Sequence, residues 1–181
     1  MPTSDPRAIL GACNEIIQTK PGSVLDIGIG FGKWGVLARE YTDIWDRRFY
    51  HGEWKTYILG IEIHEKYRNP VWGVYDEVRI GDALKELGIC AAAKARFDLA
   101  IMIDVLEHFE KDQGQLLLDK VMQVSGKFLV SYSNSHQKDV RDNRYEDHLS
   151  TWQDVDFERF NRRRIVGDET WGLYMLESNG S

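Results

Sequence analysis

The sequence has little sulfur to work with: among 181 residues only Cys13 and Cys90 are cysteines. Two thiols are too few for a disulfide framework, and they lack the short spacing of a metal-binding pair. A reducing cytoplasm is therefore the expected setting, with both thiols as small core residues and no metal centre. No apolar run approaches the ~20 residues needed to cross a bilayer, so no membrane contact is expected. The opening stretch MPTSDPRAILGACNEIIQTK lacks the basic start and unbroken apolar centre of a secretory signal. Basic charge is also short, since 23 Lys and Arg against 29 Asp and Glu leave a formal charge of −6. A polyanion partner needs a basic surface, which argues against nucleic acid. Internal repeats and low-complexity tracts are missing as well. What is present, 43% hydrophobic and 29% charged residues, is the composition of a globular chain, expected to form one domain over residues 1–181.

The chain is organised around Ser23-Val-Leu-Asp26-Ile-Gly28-Ile-Gly30-Phe-Gly32-Lys-Trp-Gly35. Val24 to Ile27 reads as a buried strand carrying one acid. Glycines follow at alternate positions, and a helical pattern starts near Lys33. Glycine there permits backbone angles that a Cβ forbids, and lets a ligand approach the main chain beside a helix N-terminus. Strand, glycine turn and helix make the first half of a βαβ nucleotide-binding unit. A dinucleotide fingerprint would place its third glycine where Lys33 stands, so nicotinamide-dependent oxidoreduction fails on spacing.

Asp26-x-Gly28-x-Gly30-x-Gly32 resembles the glycine-rich first motif of class I S-adenosylmethionine-dependent methyltransferases. Later strands support the resemblance. Tyr57 to Ile63 reads as a second strand ending on Glu62, where an acid offers two acceptors to adjacent ribose hydroxyls. The gap from Asp26 to Glu62 is 62 − 26 = 36 residues, against roughly 20 expected. An aromatic and charged insertion over 43–56 accounts for the excess. That insertion is read as helix extension plus surface loop, or else as a substrate-facing wall built from Trp45, Tyr50, His51 and Trp54. Gly73 to Ile80 gives a third strand leading into Gly81-Asp82-Ala83. This run resembles the family's third motif, in which the acid bonds adenine, although Asp82 also suits a helix N-cap. Phe97 to Ile103 is a fourth buried strand, and Asp104-Val-Leu-Glu107-His108 resembles the fourth motif of the small-molecule members. The Asn-Pro-Pro-Tyr type motif of enzymes that methylate nucleic-acid amino groups is absent.

The remaining chain completes an α/β pattern. Residues 6–20 form a helix with Asp5 as N-cap and Ile9, Leu10, Cys13, Ile16 and Ile17 at helical spacing. This segment covers one sheet face and is a candidate lid over the cofactor. Lys111 to Val124 is helical, Gly126 to Ser131 is a fifth strand ending in the polar run Tyr132 to His136, and Trp152 to Phe160 is a short helix. Arg163 to Val166 and Thr170 to Leu176 form a closing antiparallel hairpin. The expected fold is a doubly wound, mostly parallel seven-stranded sheet with helices on both faces.

The resemblance implies S-adenosyl-L-methionine as cofactor, held by Asp26, Gly28, Gly30, Gly32, Glu62 with Ile63, Asp82 with Ala83, and Asp104. It implies methyl transfer to an oxygen or nitrogen of a small molecule, such as a sugar, nucleotide-sugar or natural-product intermediate. Alternative readings are a non-catalytic cofactor-binding subunit and an RNA- or protein-directed methyltransferase. Acids such as Asp26 and Asp104 suit a cationic sulfonium, and Asp104 joins the catalytic candidates. His108 and His148 are candidate general bases, because a neutral imidazole has a suitable pKa. His148 lies in Asn143-x-x-x-x-His148-x-x-x-Trp152, similar to a segment of enzymes acting on sugars, lipids or natural products. Glu107 is read as orienting His108 or as solvated. Arg162-Arg163-Arg164 is read as a phosphate grip or a solvated strand edge.

Overall fold

The computed structural model describes residues 3–135, 137–138 and 143–178. His136, in the polar run singled out above, lies outside them. In chain order the strands are β1 (Ser23–Ile27), β2 (Tyr57–Glu62), β3 (Glu77–Ile80), β4 (Leu99–Met102), β5 (Lys127–Ser133), β6 (Asn161–Gly167) and β7 (Trp171–Glu177). The helices are α1 (Ala8–Thr19), α2 (Lys33–Arg39), α3 (Ala83–Ala92) and α4 (Lys111–Val124). One sheet takes the order β3-β2-β1-β4-β5-β7-β6. The first five are parallel, and β7 runs antiparallel between β5 and β6. This is the doubly wound, mostly parallel sheet with a closing hairpin that the sequence pattern predicts.

Strand periodicity divides the core into two layers. Leu25, Ile27, Leu59, Ile61, Ala100 and Met102 face α3 and α4, against Leu87, Leu117, Leu118 and Val121. Val24, Ile58, Leu99 and Ile101 face the other way, onto Ala12, Ile16, Trp34 and Ala38 of α1 and α2. Because both faces are covered, the central strands are continuous apolar runs rather than alternating ones. Each buried Val, Leu, Ile or Met among them contributes about 1.5–3 kcal/mol by leaving water. The chain leaves β1 toward β2 on one side and returns at β4 on the other. That reversal opens a crevice at the carboxyl ends of β1 and β4.

Several expected boundaries shift. Asp5 is not the N-cap of α1: its side chain accepts from Arg7 N at 2.8 Å, and Pro6 and Arg7 form a turn before Ala8. Leu10, expected on the buried face, is 74% exposed. Residues 70–74 form a 3₁₀ turn, so β3 begins only at Glu77. Phe97 makes one isolated bridge to Ser125, leaving β4 four residues long. Between Trp152 and Phe160 the only helical turn is 3₁₀, over Asp154–Phe157.

The 43–56 insertion is anchored at the amino ends of the strands. Lys55 N donates to Asp43, Thr56 Oγ1 donates to Pro21 O, and Tyr57 N donates to Gly22 O. The glycine turn lies at the opposite, carboxyl ends. Trp45 and Tyr50 are largely exposed, and Trp54 lies under the Arg39 guanidinium at 4.3 Å. The substrate-wall expectation for Trp45, Tyr50, His51 and Trp54 is therefore corrected: a segment inserted before β2 emerges at the end of the sheet remote from the crevice.

Candidate active site

Gly28, Gly30 and Gly32 have φ of +73°, +51° and +103°, all in the left-handed region. Gly28 is the most constrained, because a Cβ there would lie 2.4 Å from Val105 Cγ2. Its N–H donates to Ile61 O at 2.8 Å, tying the turn to β2. Gly30 N then donates to Glu62 Oε2 at 2.8 Å, and His64 N donates to Oε1 at 2.9 Å. Burial raises the Glu62 pKa, and those peptide N–H groups partly oppose the rise. Each carboxylate oxygen keeps a second lone pair for a ligand.

A cavity of about 350 Å³ opens at these strand ends, within the size range of small-molecule sites. Gly28, Gly30, Glu62, Ile63, Asp82, Ala83, Asp104 and His108 all line it. Asp82 Oδ1 also accepts from Lys85 N at 3.1 Å, so the same side chain caps α3. Three expected site residues do not line this cavity. Gly32 is the N-cap of α2 and packs on Val71. Asp26 is buried behind the turn, where Oδ2 accepts from Tyr75 OH at 2.6 Å and Oδ1 has no partner. Desolvation there pushes its pKa up to about 7. His148 borders a second, open cleft together with Asn134, Ser135, Thr151 and Gln153.

Asp104 is largely committed to the fold. It sits at φ +55°, and its Oδ1 accepts from Ser131 Oγ at 2.6 Å and Trp171 Nε1 at 2.8 Å. Its Oδ2 accepts from Asp5 N at 2.6 Å. Lys33 Nζ donates to Ser4 O at 2.7 Å. Together these bonds draw residues 3–5 onto the cavity, which Thr3 and Ser4 line. The covering element is thus the segment preceding α1 rather than the helix itself.

His108 closes a 3₁₀ turn, and its Nδ1 lies 3.1 Å from Asp147 O. His148 Nδ1 is bonded to Ser135 O. A carbonyl can only accept, so both Nδ1 atoms carry the proton and both Nε2 atoms present lone pairs. The two rings meet edge to face at 4.9 Å, forming a partition between cavity and cleft. Burial lowers both imidazole pKa values, which keeps the rings neutral near pH 7. Glu107 is 1% exposed. Its Oε2 has no partner, and burial raises its pKa well above the carboxylate range, with Asp104 adding to the rise. The solvated reading of Glu107 is corrected accordingly.

Sequence reading did not single out Tyr67, Arg144, Tyr145 or Glu146, which also line the cavity. Tyr67 OH donates to Glu146 Oε1 and accepts from Asn143 Nδ2 at 2.7 Å. These residues come from turns rather than strand ends, so no periodic signal marks them; the nearby Asn143-to-His148 spacing was the available hint. Arg162, Arg163 and Arg164 lie on edge strand β6 and pair with Glu158, Glu15 and Asp154. That placement, away from the cavity, corrects the phosphate-grip reading.

No family model matches this chain, and no curated protein matches it. Solved structures do. An S-adenosylmethionine-dependent methyltransferase from Archaeoglobus fulgidus superposes with a TM-score of 0.66 at 14% identity, over 95% of this chain and 94% of the other. The Burkholderia thailandensis 1,6-didemethyltoxoflavin N1-methyltransferase, solved with its substrate and S-adenosylhomocysteine, gives 0.65 at 14% identity over 97% and 80%. A Nostoc punctiforme protein assigned as an O-methyltransferase gives 0.63 at 15% identity over 94% of this chain. This chain spans 56% of that protein's length, and 55% of an O-methyltransferase family protein from Burkholderia thailandensis. At these identities the likeness establishes the fold: the chain has the Rossmann-like architecture of these methyltransferases. No helix among the described residues is long and apolar enough to cross a membrane.

Proposed function

We propose that this chain is an S-adenosylmethionine-dependent methyltransferase that methylates an oxygen or nitrogen of a small molecule, with a sugar, nucleotide-sugar or natural-product intermediate as the acceptor class. One observation carries the reading: the left-handed Gly28–Gly30 backbone and the Glu62 carboxylate meet in one cavity that also holds Asp82. The donor set suits the cofactor. Glu62 retains lone pairs for two ribose hydroxyls, and Asp82 offers an acceptor to the adenine amino group. When bound, S-adenosylmethionine supplies an electrophilic methyl group on a cationic sulfur. Acids along the cavity favour that charge, and none has to react.

Orientation is the chief requirement of such a transfer, because acceptor, methyl carbon and sulfur must be nearly collinear. Asp104 serves this as a positioning group, holding residues 3–5 against the cavity and restricting water. His108, neutral and on the cavity wall, is suited to take a proton from an acceptor hydroxyl. The acidic chain and the small cavity favour a small acceptor over nucleic acid. The two buried free thiols suit a reducing, cytoplasmic setting.

Thermal unfolding tests the reading. S-adenosylhomocysteine is expected to raise the melting temperature, whereas NAD leaves it unchanged. No shift at millimolar S-adenosylhomocysteine overturns the cofactor assignment.

A further inference from the structure

Glu107, His108 and His148 form the one group among the described residues whose side chains are placed to hold a metal ion. One ligand atom from each lies within 4.8 Å of the others. We propose that these three side chains bind a divalent transition ion at the partition between the cavity and the second cleft, where it faces the acceptor.

Three observations carry the assignment independently of the spacing. First, Glu107 Oε2 is buried with no hydrogen-bond partner. An unpaired buried carboxylate oxygen is costly, and such an orphan calls for an occupant. Second, both imidazoles donate Nδ1–H to backbone carbonyls, of Asp147 and Ser135. That is the outer-shell bond that fixes tautomer and ring orientation in metal-ligating histidines. It leaves both Nε2 lone pairs uncommitted. Third, the group lies between two solvent-connected spaces, one lined by His108 and the other by His148. The site therefore has an entry path and room for an exchangeable ligand.

The chemistry of the donors selects the ion. Two imidazoles and one carboxylate suit Zn²⁺, Co²⁺ or Fe²⁺ over Mg²⁺ and Ca²⁺, which take oxygen ligands. In a tetrahedral zinc site with ligands at about 2.0–2.1 Å, donor atoms stand roughly 3.4 Å apart. The three ligand atoms lie within 4.8 Å of one another, close enough for side-chain movement to bring them to that spacing. Three protein ligands leave a fourth position open, as in catalytic rather than structural sites.

This inference deepens the proposed function and rests on it for the acceptor. With the imidazoles engaged as ligands, neither acts as the base. The positive ion instead favours ionisation of a bound acceptor hydroxyl, whose proton passes to water in the second cleft. The oxygen lone pair then forms the O–C bond while the C–S bond breaks, and its electron pair returns to sulfur. The products are a methyl ether and the neutral thioether S-adenosylhomocysteine. The acceptor class narrows accordingly to a hydroxyl compound rather than an amine.

The test uses the full chain dialysed against EDTA and titrated with Co²⁺, followed by visible d–d absorption and by calorimetry. One equivalent of Co²⁺ is expected to bind with micromolar or tighter affinity and to be displaced by Zn²⁺. Glu107→Gln and His148→Ala are each expected to weaken binding by at least tenfold. His148 is only half-buried, so its variant reports on the site even where Glu107→Gln fails to fold. Every variant is checked in parallel for S-adenosylhomocysteine binding. Absence of stoichiometric Co²⁺ binding by wild type, or equal Co²⁺ affinity in the His148 variant, overturns the metal site. If S-adenosylhomocysteine still binds in either case, the proposed function stands without the ion. Co²⁺ binding without any S-adenosylhomocysteine binding would instead remove the methyltransferase reading and leave the metal site.

Discussion

Asp43 and Glu107 are both buried carboxylates, at opposite ends of the same sheet, and the fold treats them differently. Beside the amino ends of the strands, Asp43 accepts from Arg39 Nη1 at 2.5 Å, Arg48 Nε at 2.6 Å and Lys55 N at 2.9 Å. Arg39 is satisfied in turn by Thr56 O, Val74 O and Asp76. Beside the carboxyl ends, the carboxylate oxygens Asp26 Oδ1 and Glu107 Oε2 have no partner, whereas the other unpartnered buried side-chain atoms among the described residues, Trp54 Nε1 and Arg162 Nε, are donors. A fully paired network fixes a conformation, whereas an orphaned buried acceptor lowers stability. The 43–56 insertion, with its arginines and aromatics, thus belongs to the structural end of the molecule.

The sharpest way to break that comparison is Asp43→Ala. Removing Asp43 leaves Arg39, 3% exposed, with Asp76 as its one remaining carboxylate, and strips Arg48 Nε and Lys55 N of their shared acceptor. A loss of about 3–5 kcal/mol is expected in urea unfolding. S-adenosylhomocysteine affinity per folded molecule should stay within twofold, since neither residue lines the cavity. A loss under 1 kcal/mol would mean that solvent already screens the pair and that the two ends do not differ as described.

How far the sequence led depends on the same division. Strand ends were legible, since Glu62 and Asp104 each close an apolar run whose exit from the sheet fixes their position, and Asp82 follows the shorter, more polar β3 through Gly81. The glycine turn was legible because no other residue tolerates φ +73° against Val105. Turn-borne residues were not: Tyr67 and Glu146 are 79 positions apart, and only the folded chain brings them together. The triad of Glu107, His108 and His148 shares that difficulty, since two members are adjacent and the third stands 148 − 108 = 40 residues on. Trp54 and Tyr50 looked like site aromatics because composition says nothing about which end of a sheet a loop occupies.

Asp26 offers the next test, through pH. Its folded-state pKa is raised to about 7 by burial, against an ordinary value near 3.9 in the unfolded chain. Between these values the unfolded state releases a proton that the folded state keeps. Stability from this group is therefore fully present below about pH 4, falls as pH rises to about 7, and is level above. The loss is at most about 4 kcal/mol. Glu62 and Glu107, also raised, contribute in the same direction, whereas the lowered His108 and His148 oppose it on the acid side. The difference between wild type and Asp26→Asn isolates the Asp26 contribution. In that difference, wild type should lose stability relative to the variant from pH 4 to 7. A difference independent of pH would show that Asp26 is already ionised in the fold and that the cavity end bears no such cost.

Glu62→Ala should give the smallest effect on stability and the most informative one on binding. The carboxylate accepts from Gly30 N and His64 N, and both N–H groups flank a cavity that water can enter once the side chain is gone. Stability without ligand should therefore change by no more than about 1 kcal/mol. If Glu62 holds the ribose hydroxyls, S-adenosylhomocysteine affinity should fall about 10- to 100-fold by calorimetry, equivalent to roughly 1.4–2.7 kcal/mol. Glu62→Gln keeps one acceptor oxygen and should fall between the two. This pattern, weak binding with a nearly unchanged melting temperature, is the reverse of that expected for Asp43→Ala. If instead Glu62→Ala unfolds the chain while the surviving folded fraction binds normally, Glu62 is a structural clamp on the glycine turn, and the ligand must find its acceptors elsewhere on the cavity wall.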